Sequence, residues 1–324
     1  MEEVRTLQYQ RQEILVETRD GYGDRPPMEF CGTIFRGLTP MLGYSVRMAI
    51  EGASSSAGAP PVWLRRASDV RVTGVSGREA ATIFHVEAPP LGEAAKEVYL
   101  QDSLWETKPA ETDTAINVAA RVFDDVARAD AESSRYDRQL LSRIMRMRRV
   151  FDDRVVSIRF PVAMTNGGLS TLVTPQVVQS AARLADRTPQ PRQVRLTGVL
   201  DMIRHSTRSF GLKLEDGGEV RGVLETHEQM EDLKQFLGKK LLVLGRAVYR
   251  PSGKLLRVDA EGFEAGEGQP LLFAKVPPAR ETRPALVRMK PVSHQRQGVP
   301  AFFGTWPGEE TDEDFERILV ELRG

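Results

Sequence analysis

The sequence is short of the residues that fix a fold or a reaction through covalent or metal chemistry. Cys31 is the single cysteine, so no disulfide forms within the chain, a cysteine-rich zinc site is excluded, and a reducing compartment fits. The four histidines, His85, His205, His227 and His294, are scattered, with no His-x-x-x-His or Glu-His spacing. Neither a Gly-x-Ser-x-Gly elbow nor a Walker loop occurs. Ser206 beside His205 is adjacency rather than a triad, and Asp152-Asp153 and Glu309-Glu310 read as acidic pairs on exposed segments. No catalytic residue, metal or cofactor is therefore expected, and the chain reads as non-enzymatic. Long apolar runs are missing too: Leu241-Leu242-Val243-Leu244 is far too short to span a bilayer. Met1-Glu2-Glu3 opens a polar N-terminus without an apolar signal region, so a soluble cytoplasmic protein with no membrane association is expected. A charge surplus is also lacking. Lys plus Arg total 45 and Asp plus Glu total 45, which argues against a dedicated genomic DNA binder but leaves room for local basic patches.

The 324 residues, 40% hydrophobic and 28% charged, suffice for two compact domains plus connecting segments, or for one large one. The pattern reads as α+β: a mixed α/β region over 1–187, a small OB-like five-stranded β-barrel over 192–274, a basic Pro-rich linker over 275–303 and an acidic amphipathic helix over 304–324. In the first region Glu13–Glu17, Phe30–Phe35, Tyr44–Ile50, Val70–Val75 and Ala81–Val86 read as strands, with a turn at Ser76-Gly77. His85 reads as a satisfied core histidine. Residues 52–61, GASSSAGAPP, read as a low-complexity loop. Thr114–Ala129 shows Ile116, Ala119, Ala120, Phe123 and Ala127 at helical period, capped by Asp113 or Thr112. Ser134–Phe151 is a second helix, apolar at Leu140, Leu141, Ile144 and Met147. Val155–Phe160 is a strand, and Thr174-Pro175 starts a further helix.

Beyond Thr188-Pro189-Gln190-Pro191 the period changes to two. Strands are expected over Gln193–Ile203, Ser209–Leu214, Glu219–Leu224, Lys240–Tyr249 and Leu255–Ala260, with a helix over Glu228–Leu237 between the third and fourth. Five short strands with one helix in that place match the count and order of an OB-fold, and another small barrel is the alternative.

The last segment runs Gly304-Thr305-Trp306-Pro307-Gly308-Glu309-Glu310-Thr311-Asp312-Glu313-Asp314-Phe315 and continues to Leu322. Thr311 is a natural N-cap, and Asp312, Glu313 and Asp314 fall in a first turn where the helix dipole favours negative charge. Phe315, Ile318, Leu319 and Leu322 form one apolar stripe. So short a helix is marginal alone, so its stripe needs a groove, on this protein or on a partner.

This run resembles the C-terminal motif of many small bacterial type II antitoxins, in which a Trp-Pro-Gly-(Asp/Glu)-Glu-(Thr/Ser) turn precedes a short helix. The resemblance covers about the last twenty residues. It implies a toxin-neutralising segment whose partner is a PIN-domain ribonuclease. Trp306, Pro307, Phe315, Ile318, Leu319 and Leu322 would then supply the apolar contact, and Glu309, Glu310 and Asp312 would face basic residues of the partner. A segment docked in cis, within a structural adaptor, is an alternative.

Two basic regions remain. The first barrel hairpin offers Arg204, His205, Arg208 and Phe210, which with Arg250 and Lys254 would form a nucleic-acid-binding face, Phe210 stacking a base. Phe210 in the barrel core is the competing reading. The arginines from Arg135 to Arg149 either meet phosphates or pair with Asp124, Asp125, Asp152 and Asp153.

Overall fold

In a computed structural model, the described residues are 7–56, 58–78, 80–100, 105–151, 154–160, 170–266 and 279. They fall within one unit, which carries two hydrophobic cores. The fold is α+β. The expected linker lies almost wholly outside the described residues, and the expected terminal helix, with Trp306, Pro307, Glu309, Glu310, Asp312, Phe315, Ile318, Leu319 and Leu322, lies outside them entirely.

The first core is a helical layer on an antiparallel sheet. Strands β1 (Gln10–Thr18), β2 (Arg71–Arg78), β3 (Ala81–Ala88), β4 (Val155–Phe160) and β5 (Thr171–Val173) stand in the order β2-β3-β1-β4-β5. Alternation sends Ile14, Val16, Phe84, Val86, Ile158 and Phe160 inward. Against them pack α1 (Met28–Glu51), α5 (Ala115–Ala127), α6 (Arg138–Arg146) and α7 (Pro175–Arg187); the shorter α2 (Val62–Ala67), α3 (Leu91–Ala94) and α4 (Lys96–Tyr99) connect.

Helix α1 corrects the strands expected over Phe30–Phe35 and Tyr44–Ile50. Phe30, Ile34, Leu38, Met41, Leu42, Ser45 and Met48 are buried at helical spacing along 24 residues. Gly32, Gly37, Pro40 and Gly43 break up that pattern in the sequence, because each is a poor helix former on its own. Pro26-Pro27 precedes the helix, and Gly52, at φ 72°, ends it with its N–H on the Met48 carbonyl at 3.0 Å. The Ser76-Gly77 turn is a second correction. Both residues lie inside β2, and Gly77 is there because a Cβ would stand 2.3 Å from the Asp24 nitrogen of the crossing loop. Helix α5 is capped by Thr114, in a reciprocal box with Asn117, not by Asp113 or Thr112, and Ala127 is exposed. Helix α6 begins after Asp137 rather than at Ser134 and tightens into a 3-10 turn over Met147–Arg149.

The second core is the barrel: β6 (Arg192–Arg204), β7 (Ser209–Lys213), β8 (Glu219–Leu224), β9 (Lys240–Tyr249) and β10 (Leu255–Ala265), with α8 (His227–Lys234) between β8 and β9. The long β6 pairs with β9 through its first half and with β7 through its second, and β10 pairs with β9. A parallel register of Val258 with Gly222 and Ala260 with Leu224 joins β10 to β8 and closes the ring. That is OB topology. Thr226 and Gln229 form a capping box for α8, whose Met230 and Leu233 plug the barrel.

Phe210 is 1% exposed and belongs to the barrel core, so it offers no face to a base. The Phe210→Ala substitution is expected to cost about 3–5 kcal/mol in urea unfolding of the full chain. A change within about 0.5 kcal/mol, as for a surface position, would contradict this placement.

Candidate functional site

The barrel residues expected to meet nucleic acid turn mostly toward the helical layer. Arg204 is 2% exposed and donates from Nη2 to the Val98 carbonyl. Arg208 sits in the left-handed region at φ 51°, donating to the Glu225 carbonyl and, at 3.4 Å, to Ser56 Oγ. Its Nη2 stands 4.0 Å from Glu51, which is itself in a buried pair with Arg47 at 2.7 Å. Arg250 donates to the Glu132 carbonyl at 3.0 Å, and Lys254 pairs with the Glu132 carboxylate at 3.1 Å. Arg221, which the sequence did not single out, pairs with Glu106 at 3.0 Å and lies over the Trp105 ring. His205 stays with its own barrel, 3.2 Å from Glu231. Arg204, Arg208, Arg221 and Arg250 are thus spent on a seam within the chain.

The seam centres on Asp137 and Arg257. Asp137 Oδ1 accepts from Ser54 Oγ at 2.6 Å and from the Leu140 N–H at 3.0 Å; Oδ2 accepts from the Ser54 N–H at 3.1 Å and from Arg257 Nη1 at 3.1 Å. One carboxylate therefore caps α6, orders the serine loop after α1 and holds β10, using about all the acceptor sites it has. Arg257 also donates to the Gly52 carbonyl at 2.9 Å and to Asp259 at 2.6 Å. Burial by itself would raise the Asp137 carboxyl, but Arg257, Ser54 and the two backbone N–H groups outweigh it and hold the carboxyl below the usual range. Burial disfavours the charged Arg257 as well, and Asp137 and Asp259 reverse that. Residues 52–56, read in sequence as a low-complexity loop, are an ordered part of this junction. Arg257 was masked in the sequence by strand alternation, which puts it opposite Val258 and so nominally in solvent. At the seam that side of β10 meets the helical layer at Arg257. The Asp-x-x-Leu cap signal at Asp137 was legible but lay three residues beyond the expected helix start.

Two further arrangements stand outside the seam. On the outer face of the sheet, Ser76 Oγ lies 2.8 Å from His85 Nε2, and His85 Nδ1 lies 3.3 Å from Glu13. The order is that of a hydroxyl, base and acid, yet the His85 and Glu13 side chains are 38% and 63% exposed. On an open face it acts as a cross-strand polar trio fastening β2 and β3 to β1. His85 is thus satisfied but not in the core: its neighbours Phe84 and Val86 point inward and it points out. On the helical side, Arg36, Arg143, Arg146 and Arg149 line a groove beside α1 and α6. Of the arginines from Arg135 to Arg149, Arg135, which precedes α6, pairs with Asp125 at 2.8 Å. Among the described residues no cluster of three or more His, Cys, Asp or Glu could hold a metal ion, and no helix is long and apolar enough to cross a membrane.

Compared with protein-family models, curated proteins and solved structures, the chain matches none.

Removing the buried charge partner tests the seam. Asp137→Asn leaves Arg257 without its main counter-charge and should cost about 3–5 kcal/mol in denaturant unfolding at pH 7. Because the Asp137 carboxyl is depressed in the fold, its stabilisation is complete above the unfolded value of about 3.9 and disappears as pH falls through the lower folded value. The wild-type and Asp137→Asn stabilities should therefore converge below about pH 4; a constant gap down to pH 2 would contradict the assignment.

Proposed function

We propose that this chain is a non-enzymatic, antitoxin-like regulatory protein that binds and neutralises a partner through residues 304–324, the partner being a PIN-type ribonuclease in the cytoplasm. The observation that carries the reading is the sequence run from Trp306 to Leu322. In sequence it joins Trp-Pro-Gly, a run of acidic residues and Phe315, Ile318, Leu319 and Leu322 at helical spacing, the sequence pattern of an amphipathic helix laid in a groove. A ribonuclease site is rich in basic groups that hold RNA, and Glu309, Glu310 and Asp312 are the complementary charges. Trp306 and Phe315 are the aromatic anchors.

The barrel supports this choice over its main competitor. A nucleic-acid face built on Arg204, His205, Arg208, Phe210, Arg250 and Lys254 would need those groups at the surface; Arg204, Arg208 and Arg250 are engaged by Val98, Ser56 and Glu132 and Phe210 by the barrel core, which leaves His205 and Lys254 exposed. In the proposed role the barrel and the helical layer are the body from which the terminal segment reaches its partner.

Co-expression with a PIN-type ribonuclease encoded beside this chain is the test. Growth should be rescued by the full chain and lost on truncation after Pro300. Trp306→Ala and Phe315→Ala should each weaken the purified complex by about 30-fold or more, the scale of a hot-spot residue. Rescue that survives the truncation contradicts the proposal.

A further inference from the structure

Several arginines among the described residues are answered by carboxylates: Arg47 by Glu51, Arg121 by Asp113, Arg128 by Asp125, Arg135 by Asp125, Arg221 by Glu106 and Arg257 by Asp137. The groove between the first half of α1 and the end of α6 gathers four arginines of a different kind. It encloses about 410 Å³ and is lined by Arg36, Arg143, Arg146 and Arg149 around Pro40, Met41, Met147 and Val150, with no acidic side chain among its lining residues. None of its four guanidinium groups forms an ion pair with a described residue.

The walls are held in place. Gly37 of α1 faces Val150, where a Cβ would stand 2.4 Å from Val150 Cγ2, so the helix and the 3-10 turn meet in direct contact and close the floor. Arg143 is fixed on Tyr44: its Nη2 donates to the phenol oxygen at 2.7 Å, and the guanidinium lies 4.7 Å from the ring centroid. Arg146 and Arg149 are exposed at the rim. The dipole of α6 favours cations in its last turn, which accounts for Arg143 and Arg146. It does not account for Arg36, brought in by another helix.

We propose that this groove is a binding site for a phosphate-bearing ligand, with Arg36, Arg146 and Arg149 as the phosphate contacts and Arg143 as a fixed wall. Each guanidinium presents a planar fork of donors that matches phosphate oxygens. Four positive charges in this volume are neutralised by two or three phosphate groups, since a phosphomonoester carries about −1.5 to −2. An acidic peptide would have to crowd four carboxylates, with their backbone, into the same space. The volume falls within the range of small-molecule pockets, so it takes one nucleotide or a short stretch of single strand. The phosphates come either from a free nucleotide or from a nucleic-acid backbone.

The test uses the full chain, titrated with ATP and, separately, with a labelled single-stranded oligonucleotide at low salt. Arg146→Glu combined with Arg149→Glu reverses two exposed rim charges, and an unchanged thermal melt establishes that the variant is folded. At least one ligand should bind, and the double reversal should weaken it by tenfold or more, while Lys213→Glu on the barrel leaves it unchanged. Binding of ATP alone identifies a nucleotide as the source. Binding of the oligonucleotide, with a log–log salt slope of about −0.7 per phosphate contacted, identifies a backbone. The proposal is overturned if neither ligand binds, if binding survives the double reversal, or if poly-glutamate binds as tightly as the phosphate ligands.

Discussion

A single buried carboxylate decides how this protein is put together. Asp137 caps α6, fixes Ser54 in the loop that leaves α1, and pairs with Arg257 in the last barrel strand, 120 residues away. Both side chains are nearly inaccessible, at 3% and 7% exposure. An ion pair at such depth gives little net stability against a well-packed apolar alternative, since both ions lose their hydration. What it provides is registry. An arginine in this position tolerates only one arrangement of loop, helix cap and strand, because any slip leaves a charge buried and unpaired. The apolar contacts follow the same line, for Val248 and Leu256 of the barrel strands belong to the core under the helical layer.

That constraint changes what the barrel means. OB topology is a common platform for oligonucleotides and other ligands, but fold does not carry function by itself. Here several of the side chains expected to make such a platform reach the rest of the chain instead. Arg204, Arg208, Arg221, Arg250 and Lys254 join Arg257 in reaching residues of the helical layer. On the helical side α1 and α6 bring four arginines together, with no ion pair to a described residue.

How much of this the sequence disclosed depended on whether local pattern or distant contact decided the outcome. The barrel was legible nearly strand for strand, because period-two alternation is a local signal. The strand at Lys240–Tyr249 matches to the residue. Helix α1 was not legible, since three glycines and Pro40 hide a buried stripe that only packing on the sheet stabilises. The fate of the basic residues was hidden for a different reason. Sequence shows that Arg204 or Arg257 is charged, but whether it meets water or Val98 and Asp137 depends on which layer lies against its strand. The groove was half visible: α6 displayed its arginines, while Arg36 and Tyr44 join them only through the tertiary contact at Gly37. The proposed partner-binding residues around Trp306 rest on their sequence pattern alone.

The claim that Asp137 and Arg257 act as one unit is most directly tested by a double-mutant cycle with Asp137→Asn and Arg257→Gln, followed by urea unfolding of all four proteins. If the pair sets the seam, removing the second partner costs little once the first is gone, and the cycle shows a coupling of about 2–3 kcal/mol. Additivity within about 0.5 kcal/mol would mean that the two residues act independently and that the seam is held by its apolar contacts instead.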